Sequence, residues 1–188
     1  MIKKILVLFS VMLMISSFAA CSYIDEDQLL SELPALIKEG RQLLDIVYGD
    51  GLPVDEKGTE AARKGYFPVS EDSEYKSIDE LKSAFGEVFT ESYTTVLYIN
   101  ALNGVSYDSG NISPRYMESE AGILLADTNY ESQIARREPV YESIRITRTS
   151  RNMAEFEITM VYADGTEEPD TVIVKKENGK WKLDSAVL

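Results

Sequence analysis

The stretch MAEFEITMVY, residues 153–162, decides the fold, because every second side chain from residue 154 to residue 162 is apolar. The apolar side chains of one parity are those of Ala154, Phe156, Ile158, Met160 and Tyr162. A period of two is the repeat of a β-strand that turns one face towards a core. The stretch therefore predicts a strand over 153–162 with one buried face.

Turn signals on the C-terminal side of this strand predict a β-meander. Asp164-Gly165 and Asn178-Gly179 are dipeptides typical of tight hairpin turns. Apolar alternation follows each of them, so we expect strands at 171–176 and 180–183, with Trp181 closing the core. On the N-terminal side, residues 141–149 alternate with one break in phase. Two short runs at 115–118 and 122–126 predict a further hairpin around the turn Glu120-Ala121-Gly122.

Helical signals come earlier in the chain. From Leu33 to Tyr48 the apolar residues recur at helical spacing, with Pro34 placed for the first turn and Gly49 for the end. Ser77-Ile78-Asp79-Glu80 has the spacing of a capping box, and Thr90 is placed to cap a following helix that ends near Asn103-Gly104.

The segments between these helices predict two loops and a short strand. Residues 105–113 are expected to be a loop, and so are residues 49–65, with a single helical turn near 60–64 as an alternative for part of them. Residues 66–69 are expected to be a short strand or an ordered arm. The fold class predicted is α+β, with N-terminal helices packed on a curved antiparallel β-meander.

The first twenty residues have the plan of a secretory leader. Lys3 and Lys4 precede an apolar run at 5–15, and small residues follow. The stretch Phe18-Ala19-Ala20-Cys21 resembles the lipobox of bacterial lipoproteins, with Phe18 where an aliphatic residue is usual. In that pattern the cysteine takes a diacylglycerol and becomes the new N-terminus. We expect a leader over 1–20, an acylated Cys21 with a tether over 21–32, and one domain over 33–188.

This organisation predicts where the protein acts. Its partners would include the lipid bilayer, through Cys21, on the outer face of a bacterial cell membrane, or on the periplasmic side where there are two membranes. An ordinary secretory signal with a chance cysteine is the alternative. The chain's composition supports the first reading, because acylation removes the reactive thiol of its only cysteine.

The composition excludes several function classes. There are 32 acidic and 19 basic residues, which gives a formal net charge of −13. This excess of acid argues against a nucleic-acid partner and against binding of anionic lipid by a cluster of basic residues. The sequence contains no histidine, so serine–histidine triads and histidine-ligated zinc are excluded. A single cysteine excludes an intrachain disulfide. No motif points to a metal or a cofactor, and we expect none.

Eleven tyrosines stand out in the chain, and Tyr side chains are enriched at protein interfaces. The segment from Tyr107 to Tyr130 interleaves them with charged and polar residues and is the candidate surface for a protein or glycan partner. The residues proposed for it are Tyr107, Asp108, Arg115, Tyr116, Asp127 and Tyr130. The alternative is that Tyr116 is a half-buried strand residue and the other tyrosines cover loops.

Several of these segments, in this order, resemble a known family. They are Gly65-Tyr66-Phe67-Pro68-Val69, the capping box at 77–80, the Phe89-Thr90 junction, Pro114-Arg115-Tyr116-Met117-Glu118 and Gly179-Lys180-Trp181-Lys182-Leu183. The succession resembles the IseA-like inhibitors of cell-wall D,L-endopeptidases and, more loosely, secreted domains of the cystatin and nuclear-transport-factor-2 (NTF2) kind. The resemblance implies a non-enzymatic protein that binds the catalytic domain of a peptidoglycan hydrolase. It assigns no inhibitory residue, and the family's members are freely secreted rather than lipid-anchored.

The functional prediction is therefore a non-enzymatic cell-surface lipoprotein that binds a cell-envelope partner. One alternative is an NTF2-like module that binds a small ligand, or a histidine-free, isomerase-like enzyme. In that case Tyr66, Tyr93, Tyr116 and Asp127 are the residues that would line its cavity. A deep apolar pocket between helices and sheet would favour this alternative. An interior filled by side chains would favour the binding protein. A purely structural domain is the third possibility.

Overall fold

A computed structural model describes residues 24–55, 65–107 and 110–187, with the backbone alone at 105–107 and 110–112. The described part contains three α-helices: α1 (Glu26–Tyr48), α2 (Ile78–Val88) and α3 (Glu91–Tyr98), the last continued by a π-helical turn at Ile99–Asn103. Its strands are β1 (Tyr66–Pro68), β2 (Val105–Tyr107), β3 (Gly110–Ile112), β4 (Tyr116–Glu118), β5 (Leu124–Asp127), β6 (Arg137–Ser150), β7 (Met153–Tyr162), β8 (Glu167–Glu177) and β9 (Lys180–Leu183).

The main sheet is the antiparallel meander β6-β7-β8-β9. On its inner face, the fully buried side chains of β7 and β8 are those of Ala154, Phe156, Ile158, Met160, Val172 and Val174. Tyr162, predicted for the same buried face, is partly exposed. At the turn between β8 and β9, Asn178 and Gly179 both have positive φ (52° and 83°), the conformation that a two-residue hairpin turn requires. The prediction of an α+β fold with N-terminal helices on an antiparallel meander is confirmed.

The break in phase within β6 corresponds to an irregularity in its pairing with β7. The register shifts between Val140 and Arg145. There the Ser143 hydroxyl donates to the Val140 carbonyl (2.6 Å) and accepts from the Thr159 amide (2.7 Å). The side chain thus satisfies backbone groups that the bulge removes from the ladder.

Helix α1 begins at Glu26, earlier than the sequence analysis placed it. Asp25 is its N-cap, with the carboxylate accepting from the Gln28 amide at 3.0 Å. The expectation of a tether as far as residue 32 is therefore wrong, because that stretch is helical from residue 26. Pro34 consequently lies inside the helix rather than in its first turn, and it donates no N–H to the preceding turn.

Helix α1 packs on the inner face of the main sheet, against β6 and β9. Its fully buried side chains include Leu33, Ile37 and Leu44, which belong to the same core cluster as Phe156 and Ile158. Gly40 lies directly against β9, because a Cβ at this position would lie 2.2 Å from Leu183 Cδ1. The absence of a side chain at residue 40 lets helix and strand meet.

The helices α2 and α3 attach to the same sheet through the junction between them. Phe89 forms an isolated parallel bridge with Leu183, and the Thr90 amide donates to the Leu183 carbonyl at 2.9 Å. The capping roles predicted for Ser77 and Thr90 are confirmed, since their side chains accept from the Glu80 and Tyr93 amides respectively.

A second, three-stranded sheet has the order β1-β5-β4. The predicted short strand at 66–69 and the predicted hairpin at 115–126 both belong to it, as β1 and as β4 with β5. The expected loop at 105–113 is wrong in part, because β2 and β3 pair there as a small antiparallel hairpin. Of the expected loop at 49–65, the structure describes residues 49–55 and residue 65. Val54, in the first of these parts, forms an isolated antiparallel bridge with Val69.

Candidate binding site

A groove of about 720 Å³ runs between the first half of α1 and the turns at one end of the main sheet. Helix α1 contributes Leu29, Leu33 and Leu36, and β9 contributes Trp181. The helical wall exists because Asp25 caps α1, so that the helix begins at Glu26 and its first turns line the groove. The apolar residues and the indole give the groove a partly apolar lining.

The two sides of the groove carry opposite charges. The helical side presents Asp25, Glu32 and Glu39, and the side formed by the hairpin turns presents Arg151, Lys176 and Lys180. All six residues are exposed. The Gln28 amide group donates to Glu32 at 2.7 Å, and the Lys176 ammonium lies 5.6 Å from the centroid of the Trp181 ring. Such a lining suits a ligand or surface that offers both anionic and cationic groups.

The structure places Arg115 in the interior rather than on a recognition surface. It is only 4% exposed, and its Nη2 donates to the Gly49 carbonyl at 2.7 Å, at the C-terminal end of α1. A cation is favourable at this end of a helix dipole. The prediction that Arg115 lies on a partner-binding surface is wrong, because its side chain is buried against the C-terminal end of α1.

Tyr116 is also buried, with no exposed surface. Its hydroxyl donates to the Ile46 carbonyl and accepts from the Leu52 amide, both at 2.9 Å. Burial raises the pKa of Tyr116, although the nearby Arg115 charge acts in the opposite direction. The surface placement predicted for Tyr116 is wrong as well, because the residue joins the core cluster and ties β4 to the end of α1.

Tyr130 and Asp127 remain partly exposed. The Tyr130 ring covers the Arg115 guanidinium, whose central carbon lies 4.1 Å from the ring centroid, a cation–π contact. The Asp127 carboxylate accepts from the backbone amide of Asn129 (3.0 Å) and from its side-chain amide (3.2 Å), which forms a local turn. Of the six residues predicted for the surface, these two can still contact a partner. The Tyr107 side chain and Asp108 lie outside the described residues.

The four residues suggested for an enzymatic cavity do not line one cavity. In the register of the small sheet, Tyr66 pairs with Asp127 on one face, whereas Tyr116 pairs with Ala126 on the other. The Tyr66 hydroxyl donates a hydrogen bond to the Pro114 carbonyl. Tyr93 lies on α3, where its ring packs against Phe89 with centroids 5.2 Å apart.

The described residues include neither a metal-binding cluster nor a helix suited to crossing a membrane. Within 24–55, 65–107 and 110–187, no group of three or more acidic side chains is arranged to hold a metal ion. No helix in the same part of the chain combines the length and the apolar character needed to cross a bilayer.

The groove was not predicted from the sequence, although the sequence does contain a signal for the helix start that forms one of its sides. Asp25-Glu26-Asp27-Gln28 has the spacing of a capping box, which places a helix start before Leu33. The other side of the groove comes from Arg151, Lys176 and Trp181, more than a hundred residues away in sequence. Only the packing of α1 on the sheet brings the two sides together.

Comparison with known proteins identifies no family. No protein-family model matches the sequence, and a search of the curated proteins finds no match.

Proposed function

We propose that this protein is a lipid-anchored binding protein of the bacterial cell envelope, acylated at Cys21 and held on the outer face of the membrane. The observation that carries the proposal is the pattern of residues 1–20, two lysines, an apolar run and small residues, followed directly by the only cysteine of the chain. Two or three acyl chains would hold the domain on the bilayer, since each buried CH₂ contributes about 0.8 kcal/mol.

The packing of the domain supports binding to a partner over binding of a small ligand inside the sheet. The space between α1 and the main sheet is filled by side chains such as Phe156, Ile158 and Met160, which have no exposed surface. A filled interior of this kind favours a protein that uses its outer surface.

A peptidoglycan hydrolase is the partner that the resemblance to IseA-like inhibitors suggests. The net charge of −13 supports a basic partner, because an acidic surface accelerates encounter with a basic one through long-range attraction. The partly exposed residues Asp127 and Tyr130 lie on the side of the domain that we propose as the contact region.

The anchor is tested by measuring the intact mass of the protein purified from membranes of a bacterial expression host. We expect the mass of residues 21–188 plus acyl chains. The Cys21→Ser variant should lose both the acyl mass and the membrane association. An unacylated mature protein from a host with an active lipoprotein pathway would contradict the proposal.

The partner is tested with a photo-crosslinking residue in the full-length anchored protein. We place it at Thr128, which is exposed beside Asp127, and in a matched variant at Lys180 on the groove rim. A cell-wall hydrolase crosslinked from Thr128 at low salt but not at high salt, and inhibited by the purified protein, is the expected result. Equal crosslinking from both positions, or a captured hydrolase with unchanged activity, would contradict an inhibitory contact at this region.

A further inference from the structure

The early start of α1 leaves a very short connection between Cys21 and the folded domain. Ile24 is already part of the described structure, and Asp25 caps the helix. A chain spans at most about 3.3–3.6 Å per residue, so the Cα atoms of Cys21 and Ile24 are no more than about 11 Å apart. This limit holds for every conformation of residues 21–24.

The groove is located at this end of the domain, since Ile24 and Asp25 line it together with Trp181. Any membrane that holds the acyl chains of Cys21 is therefore close to the groove. The other end of α1, at Tyr48, is about 35 Å away along the helix, because 23 residues rise about 1.5 Å each.

We propose that the groove and its rim lie against the phospholipid headgroup layer of the membrane that anchors the protein. The proposal rests on the acylation of Cys21 proposed above and adds an orientation to it. The occupant is the bilayer surface itself, and the end of the domain that carries Gly49, Arg115 and Tyr130 points away from the membrane.

The chemistry of the rim matches a headgroup layer with both phosphate and ammonium groups. Arg151, Lys176 and Lys180 present cations to phosphates, and Asp25 and Glu32 present carboxylates to ammonium groups. Trp181 lines the same groove, and an indole with an apolar body and a polar N–H is favoured at a membrane interface.

The rim does not attract the bilayer strongly by charge, because acidic and basic residues are balanced in the groove and the whole chain carries −13. The anchor provides the attachment, and the groove sets the orientation. We therefore expect the depth of Trp181 in vesicles to be insensitive to salt, unlike that of a polybasic surface.

The single tryptophan of the chain makes the orientation directly measurable. The full-length acylated protein is reconstituted in vesicles of phosphatidylethanolamine and phosphatidylcholine that carry a spin-label quencher either on the headgroup or in the middle of the acyl chain. We expect the headgroup quencher to reduce Trp181 fluorescence at least about two-fold and the mid-chain quencher to have a smaller effect.

A matched protein carries the reporter elsewhere. In the double variant Trp181→Phe with Ile123→Trp, the tryptophan occupies an exposed position in the turn between β4 and β5. Its circular dichroism should match that of the parent protein. We expect the headgroup quencher to leave its fluorescence within about a tenth of the unquenched value.

The outcomes separate the orientation from the anchor. An acylated protein in which Trp181 is not quenched, or in which the tryptophan at residue 123 is quenched equally, would overturn the orientation and leave the anchor intact. A protein without acyl chains by intact mass would overturn both. Strong headgroup quenching of Trp181 alone would establish that this end faces the membrane.

Discussion

Thr90 donates its hydroxyl proton to the Asp184 carboxylate at 2.5 Å, which joins the start of α3 to the residue that follows the last strand. The same carboxylate accepts from Ser92 (3.0 Å), and its second oxygen pairs with the Lys175 ammonium (2.5 Å). Partial burial acts to raise the pKa of Asp184, but these hydrogen bonds and the Lys175 charge outweigh it and hold the pKa below 3.8. The Asp184 carboxylate thus adds side-chain bonds to the backbone contacts of Phe89 and Thr90 with Leu183.

The pKa of Asp184 predicts a stability that depends on pH. A carboxyl group with a lower pKa in the folded chain stabilises the fold above its unfolded pKa and loses this contribution as the pH falls. We expect Asp184→Asn to be less stable than the parent at pH 7, with the difference shrinking below about pH 5. Urea unfolding at several pH values measures it, and a difference that is constant from pH 7 to pH 3 would contradict the assignment.

Thr90 should contribute to stability as a helix cap as well as through Asp184. We expect Thr90→Ala to lower the free energy of unfolding by about 1–2 kcal/mol, because the Tyr93 amide loses its acceptor. Thr95→Ala is the matched control in the same helix, since Thr95 is exposed and its hydroxyl donates to the Glu91 carbonyl of the same helix. Equal effects of the two substitutions, measured by urea unfolding, would show that the cap is unimportant.

Gly40 and Gly86 should respond to alanine in opposite directions. Alanine normally stabilises a helix by about 0.5–1 kcal/mol relative to glycine. At Gly40, however, the new Cβ would lie 2.2 Å from Leu183 Cδ1, and such overpacking typically costs about 1–3 kcal/mol. Gly86 on α2 has no heavy atom within 4 Å of this position, so Gly86→Ala should stabilise. Thermal unfolding of both variants tests the packing of α1 on β9, and a stabilised Gly40→Ala would contradict it.

Tyr116 should act on stability rather than on partner binding. We expect Tyr116→Phe to reduce the free energy of unfolding by about 1–3 kcal/mol, because the Ile46 carbonyl and the Leu52 amide lose a buried partner. Tyr162→Phe is the control, since the hydroxyl of Tyr162 bonds to the exposed Glu168, and its effect should stay within about 0.5 kcal/mol. A stable Tyr116→Phe protein that binds a partner less tightly would restore the surface assignment.

The raised pKa of Tyr93 predicts that the free energy of unfolding decreases in alkaline solution. Burial, with a smaller contribution from Tyr48, raises the pKa of Tyr93 to about 12. A tyrosine with a raised pKa favours the fold fully below its unfolded pKa of 10, and this contribution is lost as the pH rises to about 12. We expect Tyr93→Phe to lose less stability than the parent between pH 9 and pH 11. Parallel decreases in the two proteins would contradict the assigned pKa.

The strands of the main sheet were predictable because their signals are local. The alternation at 153–162 and the Asn178-Gly179 turn depend only on neighbouring residues, and the structure confirms both. The capping roles of Ser77 and Thr90 were predictable for the same reason, since a cap bonds to an amide three residues away.

The binding surface was not predictable in the same way. Arg115 and Tyr116 have residue types that are common at interfaces, but their burial depends on β4 pairing with β5 and on the end of α1 covering them. The groove also depends on α1, which meets turns more than a hundred residues away in sequence. These contacts carry no signal in the local spacing of side chains.

The sequence alone determined the α+β order of elements, the turns of the meander and the acidic charge, because these properties belong to neighbouring residues or to composition. Only the tertiary structure decided which tyrosines are buried and where opposite charges face each other. Those properties depend on which distant segments pack together, and packing is decided by the whole chain at once.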